Sequence, residues 1–457
     1  MKLIARYFAI ILAGAIISGC EPTGPERDGA IQVVNAITDS PTLSLELKLN
    51  ENDSNLGLLN FQRATRVFEL AKDTYNLTAR YVDPNSGKDF NLITNFEFDV
   101  KSDTLHSLVL KGSFSNPSIT ILDRDLYDVF DSSDDINEVE VQVFNLSSDA
   151  VSVYLGDPNS TISGDTLLGT FGFDFNSEPT LIEDEENSLY RLRITGDGNS
   201  TVLYDSGDFD IPAFGRRLIV VNDGFGPDPD TKSAFIVREE GVSVYPNEIA
   251  NSGIRFINAI AEQGVAEIEM KTPSTSEIVA DTALAFSEVT NFVTVEPAFY
   301  NVDVASNQES VGSATVSLNQ DTFYTIIVGG SIIDDAVSIQ AASTTIRPIA
   351  TASSLQFVNG LRSTTIDDFD RVDLYALPAS DALADAFPTH SQVGFLSSTS
   401  SVIPASTVDL VVTTAGTQSI LAGPTRVNLE GSTEILVVVA ETSDGNELIV
   451  HTTELLP

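Results

Sequence analysis

Residues that carry the rarer chemistries are nearly missing from this chain. Its 457 residues include one Cys, no Trp and three His. A single Cys excludes a disulfide framework within the chain, and so few Cys and His leave no Cys/His zinc site. Basic residues are scarce too. Lys and Arg total 24 against 66 Asp and Glu, a formal charge of 24 − 66 = −42. So negative a surface repels phosphate and excludes direct nucleic-acid binding. No apolar run reaches ~18 residues, so no ordinary membrane-spanning helix is expected. What is present is 42% apolar and 20% charged, the balance of folded globular domains. At ~150 residues per domain, the length suits three domains, or four small ones.

Residues 1–20 read as a targeting segment. Lys2 and Arg6 form a short basic region, and Tyr7 to Ile17 is an apolar run of secretory-signal length. The run ends in Ile17-Ser18-Gly19-Cys20. Small residues directly before a lone Cys resemble the bacterial lipobox. That resemblance implies cleavage before Cys20, lipid on Cys20, and a remaining charge of 22 − 66 = −44. Glu21 follows, where Asp would signal inner-membrane retention, so the resemblance implies the outer membrane. Residues 21–30 carry Pro, Gly and charge and read as a tether.

The rest of the chain repeats. IQVVNA at Ile31, VQVFNL at Val141, IRFINA at Ile254 and LQFVNG at Leu355 are alternating strands that stop at Asn35, Asn145, Asn258 and Asn359. The intervals are 110, 113 and 101 residues, one folded module each. Each copy continues alike. A second strand (LSLELKL, VSVYL, AEIEM, VDLYAL) leads to a Phe at 61, 173, 286 or 395. An apolar run (LHSLVL, RLIVV, YTIIV, EILVVV) comes near the end, and a short strand closes the copy. Period-2 runs rich in β-branched residues, bounded by Gly, Pro, Asn and Asp, predict strands with one face to the core and one to water. Six or seven in ~100 residues predict a β-sandwich.

The expectation is an all-β chain of four tandem Ig-like β-sandwich modules in a string. They span residues 31–130, 139–245, 254–346 and 355–457. Short linkers, Asp131–Glu138, Tyr245–Gly253 and Ile346–Ser354, would act as restricted hinges. The four Phe read as core anchors. The clearest helix signal is Ser380 to Phe387, with Ser380 as N-cap and Pro388 as the stop.

The opening strand, its Asn and the polar turn into a V-x-V/L-Y strand resemble the bacterial domain-of-unknown-function family numbered 4397. The usual pattern there is V-N-x-S-P-D-A-x-x-V-D-V-Y. The second copy fits best, with Val143-Phe144-Asn145-Leu146-Ser147-Ser148-Asp149-Ala150 and Val151-Ser152-Val153-Tyr154. The third departs at Glu262-Gln263-Gly264, and the fourth stretches the turn from Thr364 to Arg371. The resemblance implies secreted or lipid-anchored β-sandwich repeats and transfers no catalytic residues.

Asn35, Asn145, Asn258 and Asn359 are expected to be structural, since Asn at a strand end bonds its own turn. His106, His390 and His451 belong to no repeated pattern, and no G-x-S-x-G, S-x-x-K or H-E-x-x-H motif occurs. No catalytic residue or cofactor is therefore assigned. Calcium is the one metal whose ligand type is abundant. Candidates are Asp131, Asp134, Asp135 and Glu138, then Asp223, Asp228 and Asp230, then Asp367, Asp368 and Asp370. None has EF-hand spacing, and solvated acidic loops are the alternative.

The function expected is a non-enzymatic, lipid-anchored envelope protein that presents modules to a protein or glycan partner. The alternatives are a periplasm-facing structural or assembly spacer and, last, a hydrolase on a β-scaffold.

Overall fold

A computed structural model describes residues 28–455 apart from short internal stretches, of which 127–137 and 362–370 are the longest. Cys20, Asp131, Asp134, Asp135, Asp367, Asp368, Asp370 and Ser380 lie outside the described residues.

Each module is a pair of facing sheets. In the first, the opening strand Gly29–Asn35 lies parallel to Thr104–Ser113, and Asn116–Asp125 flanks that strand. The facing sheet is antiparallel, in the order Asn52–Leu59, Leu43–Leu49, Thr74–Asp83, Lys88–Asp99. The other opening strands, Glu138–Asn145, Ser252–Ala259 and Ala352–Asn359, repeat the parallel pairing with Arg216–Asp223, Phe323–Ser331 and Thr433–Thr442. The register is conserved between copies: Asn35 faces Leu110, Asn145 faces Val221, Asn258 faces Val328 and Asn359 faces Val439. The chain is thus all-β, a tandem of β-sandwiches.

Alternation builds each core. Leu43, Leu45 and Leu47 point inward from one strand and meet Ile31 and Val33 from the opposite sheet. The same positions supply Val151 and Val153 in the second module, Ala266, Ile268 and Met270 in the third, and Val372 and Leu374 in the fourth. Each buried aliphatic side chain of this size contributes roughly 1.5–3 kcal/mol.

The opening strands depart from the one-face rule. Every residue of Gly29–Asn35 and of Ser252–Ala259 is buried. Ile31 and Val33 face their own core, while Val34 faces another module, meeting Phe144, Val220 and Phe235 of the second. Likewise Ile257 and Ile327 of the third module meet Val358, Leu436 and Val438 of the fourth. The first and second modules therefore pack sheet against sheet, and so do the third and fourth. A parallel strand pair is characteristically covered on both sides, and here a neighbouring module is the second cover.

The linkers are held as well. Asn247 donates to the Leu203 carbonyl and accepts from the Asp205 and Ile249 N–H groups. Arg347 donates to the carbonyls of Thr38 and Ser40 at 2.7 and 3.1 Å, tying the third linker back to the first module. Ala350 N–H donates to the Asp39 carbonyl nearby. The tandem is thereby drawn into two packed pairs, and the second and third linkers are held by these bonds; residues 131–137 of the first lie outside the described residues.

Two smaller expectations are corrected. Where Ser380 to Phe387 predicted a helix, the described residues hold one 3₁₀ turn, Leu383–Asp385, flanked by extended Ala382 and Ala386. Three residues close too few i→i+4 bonds to propagate before Pro388. The four Phe are not anchors of their own cores. Phe286 and Phe395 pack into the interface of the second pair, Phe61 packs edge-on to Phe225 of the second module, and Phe173 is 63% exposed. All four sit in the turn after the first hairpin of their module, which faces the neighbouring module rather than the sandwich interior.

Candidate functional site at the module junction

The repeated Asn residues are the first site candidates, and their geometry is the same four times. Each is fully buried. Each Oδ1 accepts the N–H two residues on: Ile37, Ser147, Ile260 and Leu361, at 3.0–3.1 Å. Each Nδ2 donates to a carbonyl of the facing sheet or the turn beside it: Leu59, Phe171, Leu284 and Val393. One amide thus closes the turn and ties the two sheets together at their shared end. Buried at 0% exposure and committed to these bonds, the four amides are not presented to a ligand.

The histidines are similarly occupied. His106 accepts the Lys101 N–H at 3.0 Å on Nε2 and meets Asp123 at 2.6 Å on Nδ1. His390 contacts Ser401 and Thr399, both at 3.1 Å, and stacks on Phe357. A Ser–His contact is the start of a nucleophile, but the second ring nitrogen meets a threonine rather than an orienting carboxylate.

The candidate that uses several modules is the central junction. A cavity of about 1060 Å³ draws its walls from all four, including Lys111, Asp149, Phe323 and Leu455. A second of about 580 Å³ adjoins it, sharing Phe225, Gly226, Phe323 and Ile346. The loop after Arg216–Asp223 forms the shared wall. Gly224 and Gly226 flank Phe225 there because the backbone passes too close for a side chain. A Cβ on Gly224 would lie 2.7 Å from Thr231, and one on Gly226 2.3 Å from Asp321. Phe225 is thus held against Phe61, and Phe323 against Phe292 at 4.9 Å.

Most of the charged groups of the cavity are engaged within the protein. Lys232, 4% exposed, donates to Asp223 at 2.6 Å and Asp149 at 2.9 Å. Burial would raise the Asp223 carboxyl, but Lys232 and the Ser148 N–H outweigh it and hold it below the usual range. Burial would lower Lys232, and its two carboxylates reverse that. Lys111 of the first module pairs with Asp174 of the second. Asp228 accepts from the Asn251 backbone and side chain at 2.9 and 3.0 Å. Asp321 accepts the Asn247 N–H, yet burial, aided by Asp228, leaves its carboxyl raised.

These contacts also bear on the calcium candidates. Asp223 and Asp228 are engaged by Lys232, Ser148 and Asn251, and Glu138 opens a strand opposite Glu183. Among the described residues no group of three or more His, Cys, Asp or Glu could hold a metal ion. Asp131, Asp134 and Asp135 lie outside the described residues. Sequence reasoning reached the NDGFGPDPD loop for its carboxylates but missed Asn222, Ser233 and Thr344, whose side chains also wall the junction. Nothing in period-2 strands distinguishes them from ordinary polar positions.

Comparison with known proteins adds the following. Residues 252–367 match the family described as Domain of unknown function (DUF4397), so a domain of that family is found there. The match covers the third module, whose turn departs from the motif, rather than the second. No curated protein matches the chain. Among solved structures, the Bacillus anthracis TIE protein aligns over 88% of this chain and 69% of its own, at 9% identity and a TM-score of 0.16. A putative cell adhesion protein from Bacteroides eggerthii aligns over 46% and 97%, at 9% identity and 0.14. A streptococcal ancillary pilin aligns over 65% and 96%, at 10% identity and 0.13. Scores this low carry no argument about this chain.

Proposed function

We propose that this chain is a non-enzymatic, lipid-anchored cell-envelope protein whose four modules act as one partner-binding body. One observation carries the reading: the modules close on a shared cavity to which all four contribute, and both of its lysines are bound to carboxylates of the protein. A hydrolase would need two carboxylates with separated pKa values and room for a substrate between them. Asp223 is held on both oxygens, by Lys232 and by the Ser148 N–H, so beside Asp321 it presents no free oxygen to a reacting bond. A simple spacer would gain nothing from two sheet-on-sheet interfaces, which shorten its reach. Lipid on Cys20 would supply location, and the buried acyl chain sets the anchor strength.

The experiment is metabolic palmitate labelling with a Cys20→Ser control, followed by protease treatment of intact and permeabilised cells. The reading expects label on the wild-type chain alone and release of the variant from the membrane fraction. An unlabelled wild type would remove the anchor. Digestion in intact cells would direct the partner search to neighbouring cells and matrix. Protection until permeabilisation would direct it to envelope components.

A further inference from the structure

The walls of the junction hold polar atoms that the protein leaves unmatched. Asn222 Nδ2, Ser233 Oγ and Thr344 Oγ1 are buried and have no hydrogen-bond partner among the described residues. Asn222 is 1% exposed and Thr344 5%. Asn222 lines the larger cavity, while Ser233 and Thr344 line the smaller one. Asn222 and Ser233 face each other across two strands, and Thr344 sits opposite Phe323. Unmade bonds at buried donors are unfavourable, and native folds rarely keep several together without an outside partner.

Charge narrows the partner. The walls carry Asp149, Asp174, Asp223, Asp228, Asp230, Asp321 and Glu454 against Lys111, Lys232 and Arg347, so an anion is repelled. A metal ion finds no cluster of three ligands among the described residues. Lys232 already bonds Asp223 and Asp149, Lys111 pairs with Asp174, and Asn251 binds Asp228, so these four carboxylates are engaged within the protein. The unmatched atoms are one amide donor and two hydroxyls, which either donate or accept. Ligand hydroxyls satisfy all three and can donate as well to the outer lone pairs of the carboxylates. Phe225 and Phe323 supply apolar faces to the same space. An extended peptide fits less well. Peptide capture by strand addition needs a free edge. The strands carrying Asn222, Ser233 and Phe323 are each paired on both sides, and Thr344 is the last residue of the edge strand Ala336–Thr344, which offers little more than one residue of edge at the cavity. The combined space exceeds the ~300–1,000 Å³ of a single small-molecule site, which leaves room for several linked rings.

We propose that the junction binds a neutral polyhydroxylated chain, an uncharged oligosaccharide, with Asn222, Ser233 and Thr344 meeting its hydroxyls and Phe225 and Phe323 meeting its C–H faces. This rests on the partner-binding reading above and names the ligand class of that same site.

The test uses the full chain in a polyoxyethylene detergent, which carries no sugar headgroup. Calorimetry and saturation-transfer NMR would be run with maltohexaose, cellohexaose, xylohexaose and chitohexaose. Polygalacturonate hexamer, spermidine and an uncharged decapeptide are the comparison probes. At least one neutral hexamer should bind, and the comparison probes should not. Thr344→Val preserves shape and removes one hydroxyl, and Asn222→Leu removes the amide. Each should weaken binding roughly tenfold, the worth of one neutral hydrogen bond. If Asn222→Leu fails to fold, Thr344→Val and Ser233→Ala decide the matter. Absence of binding by every neutral hexamer, tighter binding of a comparison probe, or unchanged affinity in the folded variants would each overturn the proposal. Such a failure beside intact Cys20 labelling would leave the envelope reading standing, and lost labelling beside retained sugar binding would do the reverse.

Discussion

Arg255, in the interface between the third and fourth modules, donates to both oxygens of Glu434 at 2.9 and 2.8 Å. Its Nε reaches Thr325 at 2.9 Å, and its plane lies 4.6 Å from the Phe292 ring centre. Both charges are buried, and every nitrogen of the guanidinium has a partner. The same position in the first and second modules holds Gln32 and Gln142. There the charge has moved to other strands. Arg124 and Arg216 are buried on the interface side, with Glu140 the buried carboxylate near them. Arg216 approaches Glu140 only to 3.6 Å, and Arg124 bonds Ser107 while its Nε and Nη1 stay unmatched. Burial pushes the Arg124 pKa down to about 10 despite Glu140. Two interfaces built from one strand face therefore differ in kind. One is a closed, matched pair, and the other is a crowded patch of positive charge in a strongly acidic protein.

The largest expected effect breaks the matched pair. Glu434→Gln leaves Arg255 buried without a counter-charge, which should cost about 3–5 kcal/mol in denaturant unfolding. Replacing both, Arg255→Met with Glu434→Leu, should recover most of that loss, because the two desolvation penalties disappear together. A cost under about 1 kcal/mol for Glu434→Gln would show that the pair is hydrated in solution.

Next in size is a change that should not distinguish the halves. Asn258 and Asn359 make the same turn and cross-sheet bonds as Asn35 and Asn145. Substituting any of them by Ala removes at least two buried bonds, about 2–3 kcal/mol each time. Unequal losses, read by unfolding of the four single variants, would mean that the modules do not share one turn. A smaller effect is expected at Arg124. Arg124→Leu removes a buried cation with two unmatched groups, so stability should change by less than about 1 kcal/mol. A loss as large as that of Glu434→Gln would place a strong anionic partner on Arg124.

Much of this was legible in the chain, for definite reasons. The strands follow from period-2 alternation, and the tandem follows from Asn35, Asn145, Asn258 and Asn359, since an Asx turn needs that residue type at one place in each copy. The interfaces were less visible. Gln32, Gln142 and Arg255 alternate with core residues and read as solvent-facing. Yet Val34, Phe144, Ile257 and Val358, two places further on, lie on the same strand side and are all apolar. An opening strand apolar on both sides is buried on both, and that was the available signal. The junction was not legible. Asn222, Ser233 and Thr344 come from two modules, and only the packing of the whole chain makes them neighbours of one space.

The smallest expected effect concerns pH and belongs to the second pair. His390 is held below the ordinary histidine value of about 6.5 by burial. His451 is lowered first by burial and then by the Arg255 charge. A histidine that resists protonation in the fold but not in the unfolded chain favours the unfolded state once acid is added. Its contribution to stability is complete above the unfolded value and is lost as pH falls from there through the folded value. Hydrogen exchange in the strand Thr433–Thr442, corrected for intrinsic rates, should therefore quicken between pH 7.5 and 5.5. His390→Gln together with His451→Gln should flatten that dependence while leaving Gly29–Asn35 unchanged. Equal acid sensitivity in the double variant would assign the effect to carboxylates instead. Arg255 links this result to the interface, since Arg255→Met should raise His451 alone.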